Sequence, residues 1–322
     1  MLKTKVRVWL LLGMLLGGCA SDPYVPDAGP LNSGRLSPPD IAIRVPGLGP
    51  CTDAPDRTLN LDSTQPVTIL VHGCFGSAGR FRTLAQVLAF HGQQTACFSY
   101  DDRESLVVSS GQLARSIDHL ATQLRHPDIT VIGHSQGGLV ARRAVVADRP
   151  DPVTTSSPLR LVTVSAPFAG IEAANICAHP AVRIGTLGLN DVLCWAISGS
   201  KWHEITDRSA FIRQPGALHP NVSGHLKVVT DETGSCREFG ESGQCRRDDF
   251  VFSVREQGNS LVDVAPGVTS VEVRAGHVEI VGETGVIPEK LIAVLQREGV
   301  IRPTAPDRQA EFKSLLAQWY GR

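Results

Sequence analysis

The chain has 322 residues, a length that suits one larger α/β domain with a sizeable buried core. Its 31 basic and 32 acidic residues give a net charge of −1 with the histidines neutral. This balance excludes the strongly basic composition that is typical of nucleic-acid-binding proteins.

The N-terminus has the layout of a targeting segment. Three basic residues precede an apolar run over residues 8–16; they are Lys3, Lys5 and Arg7. The run is too short to span a bilayer as a stable helix, and no later apolar run is long enough to do so. We therefore expect a signal peptide and no transmembrane helix.

The segment ends in Leu16-Gly17-Gly18-Cys19, which resembles the cleavage box of bacterial lipoproteins. The resemblance implies a signal peptide over residues 1–18, cleavage before Cys19, and acylation of the Cys19 thiol and amine with fatty acids such as palmitate. Several acyl chains anchor a protein stably, whereas one binds a membrane only marginally. Neither Ala20 nor Ser21, directly after Cys19, is acidic. In the lipoproteins that this box resembles, an aspartate there often means retention in the inner membrane, so the outer membrane is favoured, with the protein facing the periplasm. An ordinary secretory signal ending near residues 20–21 is the alternative.

Residues 19–50 hold many Pro, Gly, Ser and Asp residues and no sustained apolar period, which predicts a lipidated tether. Residues 51–322 remain for the folded domain. Their strands and helices alternate, which predicts a mostly parallel sheet with right-handed crossovers and helices on both faces. Strands are predicted at 66–71, 94–100, 128–134, 159–165, 225–230 and 270–275, and helices at 80–91, 113–124, 137–147, 288–297 and 308–319.

The alternation breaks over residues 171–223, which contain short apolar patches, Trp195 and Trp202 but no clean strand. An irregular stretch of this length inside a compact domain is usually functional or disordered, so we expect a lid-like insertion here.

The cysteines of the domain suit an oxidising compartment, where disulfides persist. Cys236 and Cys245 bracket a Gly/Glu/Arg-rich loop and are predicted to pair. Two further candidate pairs are Cys177 with Cys194, and Cys51 with Cys97, the latter leaving Cys74 unpaired. Seven cysteines after Cys19 cannot all pair internally, and their number does not fix the connectivity. No cysteine or histidine spacing suggests a metal site.

The most informative motif is Gly133-His134-Ser135-Gln136-Gly137, which lies between a β-branched run and a segment of helical spacing. In a sharp strand–turn–helix connection, a Cβ two residues before or after the serine would collide as the chain reverses. Such a turn exposes the serine hydroxyl and aims the next backbone N–H at a developing oxyanion. Ser135 is therefore predicted to be a nucleophile; the alternative is an ordinary helix N-cap serine.

A serine nucleophile needs a base, and the base needs an orienting group. His277 follows the last predicted strand, which places it at the carboxyl edge of the sheet together with Ser135. We predict that His277 is this base.

The carboxylate is expected between Ser135 and His277 in the chain. Asp249 is the predicted acid, since Asp248-Asp249-Phe250-Val251-Phe252-Ser253 resembles the turn that carries the acid in many serine lipases. The principal rival is Asp231, directly after the strand at 225–230. Three other carboxylates also remain open: Asp248, Glu232 and Asp263.

An oxyanion hole is predicted from two backbone N–H groups, those of Cys74 and Gln136. Cys74 lies in the loop after an early strand, His72-Gly73-Cys74-Phe75-Gly76-Ser77, where such a donor commonly faces the one that follows the nucleophile.

These motifs occur in one order along the chain, together with Ser165-Ala166-Pro167-Phe168-Ala169-Gly170 after the fourth predicted strand. The set resembles the α/β-hydrolase superfamily, near its triacylglycerol lipase and inositol-deacylase-like branch, from about Val67 to the helix after His277. The resemblance implies an α/β-hydrolase fold and a serine esterase or lipase. Phe168 and Phe250 depart from the usual His and Gly of such lipases.

The sequence therefore predicts a membrane-anchored serine hydrolase that cleaves carboxylic esters, in particular acyl esters of lipids, through an acyl-enzyme. Its partners are expected to be an ester substrate and a membrane, with no nucleic acid, cofactor or metal. The alternatives are a non-catalytic cell-envelope binding protein on a hydrolase scaffold and a thioesterase or amidase that uses the same triad.

Overall fold

The computed structural model describes residues 31, 35–74, 76–125, 128–176, 194 and 199–321. The strands of this part are β1 (Ile41–Ile43), β2 (Leu48–Gly49), β3 (Leu59–Leu61), β4 (Val67–Val71), β5 (Gln94–Phe98), β6 (Ile129–His134), β7 (Leu159–Val164), β8 (Val222–Asp231), β9 (Cys236–Phe239), β10 (Cys245–Asp248) and β11 (Val268–Arg274). The helices are α1 (Arg82–Phe90), α2 (Leu106–Gln123), α3 (Gln136–Ala144), α4 (Ala210–Arg213), α5 (Val254–Gln257), α6 (Ser260–Asp263), α7 (Glu289–Arg297) and α8 (Gln309–Tyr320).

Seven strands form the central sheet in the order β11-β8-β7-β6-β4-β5-β2. Only β2 runs antiparallel to its neighbour, so the predicted mostly parallel sheet is confirmed. The inner strands are continuously apolar and β-branched because both of their faces are covered. The carboxyl ends of β6, β7, β8 and β11 therefore lie side by side along one edge of the sheet.

Alternating side chains of the strands supply two separate hydrophobic cores. In β4, Ile69 and Val71 belong to one core and Leu70 to the other. Helices α2 and α3 pack in the first core, and α1, α7 and α8 pack in the second. The predicted arrangement of helices on both faces of the sheet is thus present.

Several elements differ from the sequence prediction. Helix α2 begins at Leu106 instead of residue 113 because Ser105 caps its N-terminus, with its side chain accepting the N–H of Val108. The short antiparallel pairs β1–β3 and β9–β10 were not predicted. Two-to-four-residue strands of this kind carry too few residues to show an apolar period.

Two predicted disulfides are present. Cys236–Cys245 joins β9 to β10, and Cys51–Cys97 joins the segment after β2 to β5. The remaining candidate pair includes Cys177, which lies outside the described residues. So do Cys19, the signal peptide, residues 20–30 and 32–34 of the predicted tether, and residues 177–193 and 195–198 of the predicted insertion, which include Trp195.

We expect the two disulfides to contribute differently to stability. Cys51–Cys97 spans 46 residues and Cys236–Cys245 spans 9. Closing the longer loop removes more entropy from the unfolded chain, so the Cys51→Ala/Cys97→Ala variant should lose about 4 kcal/mol and the Cys236→Ala/Cys245→Ala variant about 3 kcal/mol. Urea unfolding of both variants and the wild type checks this order. A larger loss for the 236/245 variant would contradict it.

No helix among the described residues is both long enough and apolar enough to cross a bilayer.

Candidate active site

Ser135 lies at the turn between β6 and α3. Its backbone has φ 56° and ψ −128°, an uncommon conformation for a residue other than glycine. The Ser135 N–H donates to the carbonyl of Val164 on the neighbouring strand at 2.8 Å, and its carbonyl accepts the N–H of Gly138 at 2.9 Å. The surrounding backbone therefore holds the strained turn in place.

The two glycines of the motif, Gly133 and Gly137, are required because neither position has room for a side chain. A Cβ added to Gly133 would lie 2.3 Å from the carbonyl oxygen of Gly137, and one added to Gly137 would lie 2.3 Å from that of Val71. These contacts are with backbone atoms, which cannot rotate away. The collision expected from the sequence is thus present on both sides of Ser135.

His277 follows β11 in a loop that reaches the same sheet edge. Its ring centroid lies 4.7 Å from that of His134, the residue before Ser135, and 4.9 Å from that of Phe252. The His134 ring donates from Nε2 to the carbonyl of His277 at 2.9 Å. The imidazole predicted to be the base is thus packed against the strand end that carries Ser135.

The carboxylate on the His277 ring belongs to Glu232. His277 Nδ1 lies 2.9 Å from Glu232 Oε1, and the Glu232 side chain is wholly buried. Because an ionised carboxylate can only accept, Nδ1 carries the proton in this pair. This tautomer leaves Nε2 with a lone pair, as a general base requires.

Further donors surround Glu232. Its Oε2 accepts the N–H groups of Val251 and Phe252 at 2.6 and 2.8 Å. Burial raises the pKa of Glu232, but the hydrogen bond and charge of His277, together with these N–H groups, outweigh burial and hold the pKa below its ordinary value of 4.5. Glu232 is therefore arranged to stay ionised beside the imidazole.

The assignment of Asp249 as the carboxylate on the His277 ring requires correction. Asp249 accepts the backbone N–H groups of Val278 and Glu279 at 2.9 to 3.1 Å, and its carbonyl accepts the His277 N–H at 2.9 Å. Its carboxylate thus accepts hydrogen bonds from the turn after His277 and not from the imidazole ring. Burial raises the pKa of Asp249 against the opposing effect of these N–H groups.

Asp249 nevertheless shapes the loop of His277. A Cβ at Gly276 would lie 2.1 Å from Asp249 Oδ2, so only glycine leaves room for the carboxylate there. Arg237 on the β9–β10 hairpin lies 3.9 Å from Asp249 Oδ1 and forms an ion pair with Glu283 beyond the loop. The hairpin and Asp249 together hold the backbone that carries His277.

The rival Asp231 turns away from the imidazole. Successive side chains of a strand point to opposite faces, and Asp231 and Glu232 are adjacent at the end of β8. The Asp231 carboxylate accepts the N–H of Thr233 in a local turn at 3.1 Å. A one-residue difference at the end of β8 therefore decides which carboxylate contacts the imidazole.

Ser165 is a site residue that sequence reasoning missed. Its hydroxyl donates to Glu232 Oε1 at 2.7 Å, lies 2.9 Å from His277 Nδ1, and accepts from the Thr230 hydroxyl at 2.8 Å. Its φ of 48° is positive, which is uncommon for serine. Its place directly after β7, beside Ser135 at the same sheet edge, is the sequence signal that could have identified it.

We expect the Ser165→Ala variant to remain folded and to lose about 10- to 100-fold in kcat/KM, because one hydrogen bond to a charged acceptor is worth about 1.5–3 kcal/mol when made. Steady-state kinetics checks the loss. Ser116→Ala is the matched control, since Ser116 is a buried serine whose hydroxyl donates to the carbonyl of Pro46 away from the site. Equal activity of the two variants would show that the Ser165 hydroxyl does not contribute to catalysis.

The loop predicted to supply an oxyanion donor lies against Ser135. A Cβ on Gly73 would lie 2.8 Å from Ser135 Cβ and 3.3 Å from its Oγ. Cys74 follows Gly73 directly, and Gln136 is the first residue of α3, where backbone N–H groups have no partner within the helix. The oxyanion hole from the N–H groups of Cys74 and Gln136 stays a prediction.

Two further histidines line the site in neutral form. Burial, followed by the charge of His277, lowers the pKa of His134 to about 3. Burial also lowers the pKa of His72, which stacks on Tyr100 with ring centroids 4.5 Å apart. Among the described residues, no group of three or more His, Cys, Asp or Glu side chains is placed to hold a metal ion. The arrangement thus offers a hydroxyl, an imidazole and an ionised carboxylate.

Comparison with protein-family profiles and with curated protein sequences finds no match. Among solved structures, the chain resembles the lipase BlEst2 of Bacillus licheniformis in its propeptide form, with a TM-score of 0.52 and 16% identity over 84% of this chain and 55% of that one. It spans about half the length of that form. The mature form gives a TM-score of 0.49 and 14% identity over 73% and 91% of the two chains.

The esterase Pf2001 of Pyrococcus furiosus gives a TM-score of 0.49 and 15% identity over 85% of this chain and 98% of that one. The likeness to BlEst2 in its propeptide form shows a shared fold. The predicted α/β-hydrolase architecture, a mostly parallel sheet with helices on both faces, is confirmed.

Proposed function

We propose that this protein is a serine hydrolase that cleaves carboxylic esters. The observation that carries the proposal is the buried pair of His277 Nδ1 and Glu232 Oε1 at 2.9 Å, with the imidazole packed on the residue before the strained Ser135. A hydroxyl at such a turn, an imidazole with its second nitrogen open, and an ionised carboxylate are the three parts of a serine nucleophile.

The reaction proceeds in two halves. His277 Nε2 takes the proton of Ser135 Oγ as this oxygen attacks the ester carbonyl, and the N–H groups of Gln136 and Cys74 stabilise the resulting oxyanion. The imidazolium then gives its proton to the departing alcohol, which leaves an acyl group on Ser135. Water, deprotonated by His277, attacks the acyl-enzyme, and the imidazolium returns this proton to Ser135 Oγ as the bond to the acyl group breaks and the acid leaves. Glu232 stabilises the imidazolium in both halves.

Acyl esters of lipids are the proposed substrates. Two apolar side chains beside the site, Phe250 and Val251, are each 48% exposed, and both precede Phe252, whose ring packs on His277. Large exposed apolar side chains grouped at one rim suit an apolar ligand. The lid-like insertion over residues 171–223 and a lipid anchor at Cys19 would bring such a site to a bilayer surface.

Turnover of p-nitrophenyl esters of increasing chain length, by the full chain in detergent, tests the substrate class. Thioester and anilide analogues of the same acyl group separate an esterase from a thioesterase or an amidase. We expect ester cleavage to dominate and longer acyl chains to lower KM. A folded protein that cleaves none of the esters would end the proposal.

The anchor is tested separately. When the chain is expressed in a bacterium with a lipoprotein export pathway, Cys19 should carry acyl groups, and the protein should sediment with outer membranes. The Cys19→Ala variant should lose the label from radioactive palmitate and leave the membrane fraction. A soluble, unacylated wild-type protein would exclude the lipoprotein proposal and would leave the proposed catalysis unaffected.

A further inference from the structure

Lys201 is a lysine buried in the core of the site, with 2% of its side chain exposed. It belongs to the 3-10 helix Gly199–His203, within the predicted insertion. Removing an ammonium from water is costly unless it is fully hydrogen-bonded or paired. Buried titratable groups of this kind concentrate at functional sites.

The Lys201 ammonium contacts the two residues of the predicted oxyanion hole. It donates to Gln136 Oε1 at 2.5 Å and to Cys74 Sγ at 3.2 Å, and its third contact is the carbonyl of Asp102. An ammonium has three protons, so these three acceptors satisfy it. One side chain thus connects the loop after β4 with the first residue of α3.

The Gln136 side chain is held at both ends of its amide. Its Oε1 accepts from Lys201, and its Nε2 donates to the carbonyl of Asp102 at 3.0 Å. Because Gln136 is the first residue of α3, a fixed side chain limits rotation of the peptide group whose N–H is predicted to bind the oxyanion. Burial, with a further contribution from the charge of Lys201, lowers the pKa of His72 in the same loop as Cys74.

The segment that carries Lys201 is firmly attached to the body of the protein. This segment covers residues 199–206. Ser200 N–H donates to the Arg103 carbonyl at 2.7 Å, and Glu204 accepts the Ser105 hydroxyl at 2.7 Å and the Leu106 N–H at 2.5 Å. A Cβ at Gly199 would lie 2.2 Å from the Arg103 carbonyl oxygen, so the approach needs glycine. The position of Lys201 follows from this attachment.

We propose that Lys201 is a positioning residue for the oxyanion hole, held in place by the contacts of residues 199–206 with the body of the protein. The proposal rests on the proposed esterase function. Lys201 touches no reacting atom. It fixes Gln136 and Cys74, and it adds positive potential next to the point where negative charge develops.

The Lys201→Met variant keeps the length of the side chain and removes the charge and its donors. We expect kcat to fall about 10- to 100-fold, less than or equal to the loss of a direct oxyanion donor, with KM changed little. Lys201→Arg should recover part of kcat. Lys227→Met is the matched control, since Lys227 is also buried and pairs with Asp263; it should lower the melting temperature and leave kcat within a few-fold of the wild type.

A second readout does not depend on esterase activity. A neighbouring ammonium favours the thiolate of Cys74, so Lys201→Met should slow the alkylation of Cys74 by iodoacetamide several-fold at fixed pH, measured by intact mass. Slower alkylation in a protein with no esterase activity would reject the proposed function while supporting the placement of Lys201.

Two outcomes overturn the proposal: a Lys201→Met enzyme whose kcat matches that of Lys227→Met, and unchanged alkylation of Cys74. If Lys201→Met fails to fold, Gln136→Met serves instead, because it removes the acceptor of Lys201 and keeps the backbone N–H. We expect this variant also to lose kcat at unchanged KM, and full activity would overturn the proposal.

Discussion

The Ser135→Ala variant is expected to lose about 10⁶-fold in kcat, the loss found when a serine hydrolase is deprived of its nucleophile. The substitution removes one oxygen from a buried site and leaves the glycines around the turn unchanged. The fold should therefore persist, with a circular dichroism spectrum and melting temperature close to those of the wild type. Ester turnover with the most reactive p-nitrophenyl substrate measures the loss.

Residual activity sets the limit of this experiment, because binding and the oxyanion hole alone accelerate hydrolysis over water. A His277→Ala variant should show a similar loss, since hydroxyl and imidazole act as one unit and their effects do not add. If Ser135→Ala retained more than a few per cent of the wild-type kcat, the nucleophile would be another group.

The Glu232→Gln variant carries the second-largest expected effect, a loss of roughly 10⁴-fold in kcat. An amide in place of the carboxylate favours the wrong tautomer of His277 and no longer stabilises the imidazolium. Asp249→Asn is the matched control, since both are buried carboxylates near the same loop. The Asp249 variant weakens contacts to backbone N–H groups and the ion pair with Arg237, none of which involves the imidazole ring, so we expect about a tenfold loss.

The order of the two losses distinguishes the candidate acids. A larger loss for Asp249→Asn than for Glu232→Gln would restore Asp249 as the acid and contradict the geometry of the ring contact at Nδ1.

The free energy of unfolding should depend on pH because Glu232 is ionised in the folded protein with a lowered pKa. The pKa of Glu232 is lower in the folded protein than its ordinary value of 4.5. A lowered folded-state pKa contributes stability that is fully present above the unfolded value and is lost as pH falls through the folded one. The wild type should therefore exceed Glu232→Gln in free energy of unfolding at pH 7, and the difference should shrink as the pH falls below 4.5. A constant difference would indicate that the pKa of Glu232 is the same in the folded and unfolded states.

The sequence was sufficient to place the proposed nucleophile and the proposed base at one edge of the sheet. Ser135 could be placed at the sharp turn because such a turn requires glycines at fixed positions, and both glycines lack room for a Cβ. His277 follows from topology, because parallel strands bring their carboxyl ends to one edge. The sheet itself was predictable from long apolar strands that alternate with amphipathic helices.

The proposed acid and the residues that contact it were not predictable in the same way. Asp231, Glu232 and Asp249 all lie between Ser135 and His277 in the chain, so chain order does not distinguish them. Which carboxylate contacts the imidazole depends on which side chain at the end of β8 points to the ring, and on the N–H groups of residues 251 and 252. Ser165 and Lys201 act through contacts made across long stretches of chain. Lys201 stands in a segment without apolar period, where no pattern assigns a side chain to the core.

The most direct test of the central claim is the reaction of the intact protein with a fluorophosphonate, followed by peptide mass spectrometry. The account predicts a single adduct on the peptide that contains Ser135, absent from Ser135→Ala and formed much more slowly by Glu232→Gln. A folded wild-type protein that forms no adduct, or forms it on another residue while Ser135 stays unmodified, would contradict the account.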